Sequence, residues 1–265
     1  MRTPRLAGLG LTAMAAAAFA VAGCDNGGAD PSASGSGPAT APSSASADPA
    51  AVSALAAATA KLGTTSFKIL ATSGTSFKLS GAVDPATRVG TADLTASGTN
   101  TELKVKSLLL DKDLYVQVPG VTKAGTWTHL DVARLPEGAN VGLRPGQVDP
   151  VNTANLLASS TDVHSTGGNN YAGTLDVSKA IGLAGVDQVT VDSYGAQAQN
   201  VPFTAGIDEQ GRLSVLMITP PSTGSKQILP IEVLYTDYGV PVTATRPAAS
   251  QITEAPADLY TSLGG

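Results

Sequence analysis

The chain has 265 residues, of which 21 are acidic and 16 basic, for a formal net charge of −5 at pH 7. Nucleic acid and anionic membrane surfaces both call for clustered positive charge, so this balance speaks against either as a partner. Aromatic residues make up only 4% of the chain, and Cys24 is its one cysteine.

Arg2 and Arg5 open the sequence with positive charge, and residues 6–22 carry none. Charge, then an apolar run, then small residues is the order of a secretory signal. As a helix, residues 6–22 would reach roughly 26 Å at about 1.5 Å each, short of a hydrocarbon core of about 30 Å. A permanent membrane helix is therefore the weaker alternative, and a plain secretory signal with an incidental thiol is another. Val21-Ala22-Gly23-Cys24 has the form of a lipobox, the site at which a prolipoprotein is cleaved and its new N-terminal cysteine acylated. The expectation is a lipoprotein signal peptide over 1–23, a diacylglyceryl or palmitate group on Cys24, and anchoring on the extracytoplasmic face of a cell membrane. Two acyl chains hold a protein to a bilayer far better than one. Cleavage would remove Arg2 and Arg5, leaving 14 basic against 21 acidic residues and a net charge of −7.

Residues 24–49 read as a tether. From 25 onward the stretch is almost wholly Gly, Ala, Ser, Pro, Thr and Asp, with no large apolar side chain to offset the entropy of ordering. Its root-mean-square reach is roughly 25–30 Å, and its taut limit about 85 Å. Residues 50–265 remain for one folded domain.

That domain begins with a helical pattern. Asp48 is placed as a cap, Pro49 as the first helical residue, and Gly63 as the stop. Strand patterns then dominate, with Phe67 and Ile69, Phe77 and Leu79, and Leu103 and Val105 alternating with polar neighbours. The alternation continues through 113–118, 127–130, 171–177, 203–207, 212–218, 228–235 and 242–245. Period two, with β-branched and aromatic residues set off by Gly, Asp and Pro, signals an antiparallel sheet. Residues 207–213 read as a hairpin with Gly211 left-handed; a calcium loop built on Asp208 and Glu209 is the sharper alternative, but two carboxylates fall short of a cage. A second helix is expected over 149–157, capped by Asp149 with Pro150 in the first turn, and a third, short one over 178–183.

Two surfaces stand out. In 213–218, Leu213, Val215 and Met217 alternate with Leu216 and Ile218, so both faces look apolar and both should be covered. In the N-terminal strands Lys68, Lys78, Lys104 and Lys106 should point outward together, as a solvated face or as a docking surface for an anionic partner. The Gly- and Pro-rich run 134–149 is long for a connection inside a domain and is expected to border the mouth of a cavity.

Convergent catalytic groups are not evident. His129 and His164 stand far apart with no HxH or HxxxH pair to chelate metal. There is no Gly-x-Ser-x-Gly elbow, no Ser-x-x-Lys and no phosphate-cradling glycine loop. The reading is of a protein that is not an enzyme and needs no cofactor.

The chain resembles the LppX/LprA/LprF/LprG family of actinobacterial lipoproteins, which share the half-barrel architecture of LolA-type carriers. The residues that carry the resemblance are the lipobox at Cys24, Asp113-Leu114-Tyr115-Val116-Gln117-Val118 followed by Trp127, Val148-Asp149-Pro150 leading to Asn155-Leu156-Leu157, and residues 173–180. Val201-Pro202-Phe203, Gly211-Arg212-Leu213, residues 235–242 and Glu254-Ala255-Pro256 complete it. The resemblance implies an α+β fold in which a strongly curved antiparallel sheet, a half-barrel, has helices covering its concave face. It also implies lipid binding and lipid transport: a hydrophobic cavity taking an acylated lipid or glycolipid and carrying it across the cell envelope, with a filled, ligand-free structural lipoprotein as the alternative. Cavity lining is assigned from alternation to Phe67, Ile69, Phe77, Leu79, Leu103, Val105, Leu114, Val116, Leu156 and Leu157.

Overall fold

Asp48 accepts a hydrogen bond from the Ala50 amide (2.9 Å), and Pro49 fills the first helical position of α1 (Pro49–Ala60). A cap oxygen and a residue without an amide together relieve the unpaired donors of a helix start. A 3₁₀ turn over Lys61–Gly63 ends the helix. The computed structural model describes residues 47–98, 102–119, 122–136, 143–144, 149–179, 188–222 and 228–262. The signal peptide, Cys24 and residues 25–46 of the tether lie outside these, as do 180–183 of the expected third helix and most of the 134–149 loop.

Six strands follow α1 as an antiparallel meander: β1 (Phe67–Ser73), β2 (Phe77–Asp84), β3 (Val89–Ser97), β4 (Glu102–Leu110), β5 (Asp113–Gln117) and β6 (Trp127–Asp131). After α2 (Thr153–Ala158) the chain re-enters at the far edge of the same sheet. It works back through β7 (Ser160–Gly167), β8 (Asn170–Leu175), α3 (Gln188–Tyr194), β9 (Val201–Ile207), β10 (Leu213–Ile218) and β11 (Ile231–Thr236). β11 pairs antiparallel with β1 and so joins the two meanders. Finally β12 (Ile252–Glu254) adds to β6 in parallel, and α4 (Ala257–Ser262) follows. The strand order is β12-β6-β5-β4-β3-β2-β1-β11-β10-β9-β8-β7.

This order corrects the half-barrel. The fold is α+β with one large mixed sheet, but the sheet is open, with β12 at one edge and β7 at the other and no ladder between them. Of the helices, α1 packs chiefly on α2, β7 and β10. Alternation reports which way each side chain points; it carries no information on strand order or curl.

Register lines up one apolar face. Ala71 lies opposite Leu79, Leu79 opposite Leu94, and Leu94 opposite Val105; across the seam Ala71 lies opposite Val233, and Val233 opposite Leu216. A bulge between Leu213 and Val215 resolves the strand that looked apolar on both sides. One extra residue shifts the phase, so that Leu213, Leu216 and Ile218 are all buried while Met217 is exposed.

The expected strand at 242–245 is absent. The segment between β11 and β12 instead crosses the opposite face of the sheet, where Val240, Pro241, Val242 and Thr243 lie over Lys68, Ala82 and Thr91 and enclose a hollow of about 200 Å³. Pro241 and Pro247 lack the amides a ladder needs. The four lysines do share this outer face, and they are partly neutralised: Lys68 pairs with Asp237 (3.0 Å), Lys104 with Glu102 (2.9 Å), and Lys106 lies opposite Asp93 in the ladder.

Candidate functional site: an apolar cavity on one face of the sheet

A cavity of about 1290 Å³ lies against the apolar face. It exceeds the roughly 300–1,000 Å³ usual for small-molecule sites. Its wall on one side of the seam is Phe77, Leu79, Leu94, Val105, Val116 and Leu130, from β2 to β6. On the other side it is Leu175, Val201, Ile218, Ile231 and Val233, from β8 to β11. Val151 and Leu156 near α2, Thr190 and Tyr194 of α3, and Pro256, Asp258 and Leu259 at the C-terminal end complete the enclosure. Hydroxyls are scattered through it, at Ser73, Ser107, Thr128 and Thr253. Burial pushes the Tyr194 phenol up, so it stays protonated as a donor. Among the described lining residues the carboxylates are Asp258 and Glu254, the latter turned to His129 on the outer face, and there is no Lys, Arg or His.

Of the residues assigned to a cavity from alternation, Phe77, Leu79, Val105, Val116 and Leu156 stand on its wall. Phe67, Ile69, Leu114 and Leu157 are buried in the packed core instead. Phe67, for example, meets the Tyr235 ring edge-on at 5.5 Å between centroids. Leu103 is 47% exposed, at the start of β4 and outside the wall. No described residue between 134 and 144 lines the cavity; Leu143 of that loop is fully buried beside Gly90. The C-terminal lining and α3 carried no periodic signal, each being only a turn or two long.

Behind the wall sits a buried polar knot. Asp149 accepts from the amides of Val151 (3.0 Å) and Thr153 (2.9 Å) and from the Tyr235 hydroxyl (3.1 Å), which in turn accepts from Thr153 Oγ1. Burial lifts the Asp149 carboxyl above its ordinary value although these donors oppose it, and burial with the neighbouring carboxylate lifts the Tyr235 phenol well above its own. Asp149 thus caps the turn ahead of α2, which starts at Thr153 rather than at Pro150, after Asn152 in a left-handed conformation (φ 55°).

On the outer face His129 lies between two carboxylates: Nδ1 is 2.8 Å from Glu254 Oε2 and Nε2 is 3.0 Å from Asp113 Oδ1. Arg246 from the crossing segment donates to Asp113 Oδ2 (2.9 Å) and to the Tyr115 hydroxyl, and the Tyr115 ring stacks on His129 at 5.1 Å. At the 207–213 hairpin Gly211 is left-handed (φ 71°), and the Asp208 carboxylate is occupied by the amides of Gln210 and Arg212 and by Arg212 Nε (2.7 Å). That corrects the calcium alternative, since those oxygens are committed to the turn. Among the described residues no group of three or more His, Cys, Asp or Glu could hold a metal ion. None of their helices is long and apolar enough to cross a membrane.

No family model matches the chain, and no curated protein matches it. Together with the open sheet, this overturns the likeness to the LppX/LprA/LprF/LprG lipoproteins. The function drawn from that likeness, lipid binding by a half-barrel with transport across the envelope, falls with it. The filled-core alternative fails separately, because the interior face is hollow.

Proposed function

We propose that this protein is a non-catalytic binding module that holds a neutral apolar small molecule in the cavity. The observation that carries the reading is a wall of aliphatic side chains with isolated hydroxyls, spanning both meanders and lacking any described cation. An apolar ligand entering it exchanges water for a dry surface, while the hydroxyls offer weak orienting hydrogen bonds. An anionic head in the cavity would meet Asp258, with no Lys, Arg or His among the described lining residues to compensate it. Attachment at the membrane through Cys24 belongs to the same reading on sequence grounds alone, and Cys24→Ala should then move the protein from the membrane to the aqueous fraction.

Fluorescence titration tests the binding. The neutral probe N-phenyl-1-naphthylamine should bind with micromolar affinity and an anionic dansyl fatty acid more weakly. Val105→Asp, which places a carboxylate on the wall, should weaken the neutral probe at least about tenfold, because covering an unpaired charge is costly. Leu103→Asp, on the same strand but outside the cavity, should leave it unchanged. Equal losses in the two variants, or no binding to the unmodified protein, would sink the reading.

A further inference from the structure

A piece of the cavity wall is held by very little ladder. β12 is three residues long, lies at the sheet edge and pairs in parallel with Trp127, Thr128 and His129 of β6. Directly after it come Pro256, Asp258 and Leu259 of the wall. Short edge elements open at lower free energy than central strands. Beyond the ladder the fastening gathers near His129. The Ala255 amide donates to the His129 carbonyl (2.9 Å), the Asp131 amide donates to the Tyr260 hydroxyl (2.8 Å), and the Arg134 guanidinium sits 4.1 Å over the Tyr260 ring.

Both nitrogens of the His129 ring rest on carboxylate oxygens. Ionised carboxylates only accept, so the two contacts can coexist only when both nitrogens carry protons. A neutral ring must turn a lone pair toward one of them. Asp113 is also held by Arg246, whereas the Glu254 side chain is 74% exposed and can turn into water. The contact that gives way is therefore the one that reaches β12. The ring is faced by Glu254 from β12, Asp113 and Tyr115 from β5, and Arg246 from the crossing segment, while Asp131 on its own strand is turned to the Ala133 amide (3.0 Å).

We propose that residues 252–262 form a pH-operated closure of the cavity, latched by doubly protonated His129 and loosened when the ring loses a proton. The inference rests on the binding reading above. Partial burial works against the charged ring, but the hydrogen bonds and charges of Glu254 and Asp113 outweigh it, so His129 titrates above its ordinary value. With the folded value raised, the latch is complete below the ordinary histidine value and is lost as pH rises through the raised one.

The test follows release of N-phenyl-1-naphthylamine from the full-length protein by stopped flow between about pH 5.5 and 9, with amide-exchange protection of 252–262 measured in parallel. Release should be about tenfold faster at the alkaline end, the size expected for one charge-assisted hydrogen bond. Protection of 252–262 should fall over the same range while that of β1 stays constant. His129→Gln should release fast at every pH, with no inflection. PH-independent release or pH-independent protection in the unmodified protein overturns the closure. If the probe binds and protection falls but release does not change, binding stands and the closure is wrong. Failure of the probe to bind at any pH removes the binding reading and the closure with it.

Discussion

Tyr235 joins two stretches of chain 86 residues apart, because its hydroxyl reaches Asp149 ahead of α2 from near the end of β11. A carboxylate so deeply buried is tolerated only while its oxygens are supplied with donors, and Tyr235 is the one donor that comes from outside the local turn. Tyr235→Phe keeps the ring and its contact with Phe67 but withdraws the hydroxyl, leaving Thr153 without its acceptor as well. Urea denaturation should register a loss of about 1–3 kcal/mol at pH 7. The folded-state value of Asp149 is raised, so the folded protein holds this proton more tightly than the unfolded chain does. Stability tied to this group therefore falls as pH rises from the ordinary carboxylate value through the raised one. The penalty of the substitution should accordingly shrink at about pH 5, where more of Asp149 is protonated; an equal penalty at both pH values would show that Asp149 does not feel the hydroxyl. The acid-then-proline pattern at 149–150 was legible as a cap. The delayed helix start was not, because it depends on a tyrosine that no local window contains.

Elements were legible wherever a strand or helix obeys one period without interruption. Asp48 and Pro49 start α1 as the sequence implies, while the α-helix ends at Ala60 and a 3₁₀ turn runs on to Gly63; the cap residue does a second task, since its own amide donates to the Val163 carbonyl of β7 (2.7 Å). Asp48→Ala should cost about 0.5–2 kcal/mol through the lost cap, and amide exchange should quicken in the first turn of α1 without change in β1 to β5. A loss spread evenly over the sheet would mean that the cap holds the edge strand rather than the helix. The alternation names no strand at β3 or β7, and it misleads at two further places for opposite reasons. In β10 the bulge at Ser214, whose hydroxyl donates to the Gly206 carbonyl (3.0 Å), breaks the period inside a real strand. At 242–245 a short alternation belongs to chain that runs across strands, with prolines in place of ladder donors, so the same pattern marks no strand at all. β12 gave no warning, because three residues are too few to show a period.

At the scale of the whole sheet, the sequence carries the faces but not their arrangement. Side-chain alternation placed Phe77, Leu79, Val105 and Val116 on one side, where they stand on the cavity wall. The order of strands depends instead on the long excursion after β6, which carries the chain to the far edge and makes β11 rather than β7 the neighbour of β1. That antiparallel seam, from Lys68 opposite Thr236 to Thr72 opposite Glu232, is the only ladder between the two meanders among the described residues, and the cavity wall draws on both. A ligand that fills the cavity should therefore brace the seam, raising the stability of both meanders together. A ligand at about a hundred times its dissociation constant adds about 2.7 kcal/mol to the folded state, which for a domain of this size corresponds to roughly 5–10 °C in midpoint. Thermal unfolding with saturating N-phenyl-1-naphthylamine should remain one transition and move upward by that amount, and by about half of it or less in Val105→Asp. A split into two transitions, only one of them ligand-dependent, would show that the occupant touches one meander and that the seam is held by its own ladder alone.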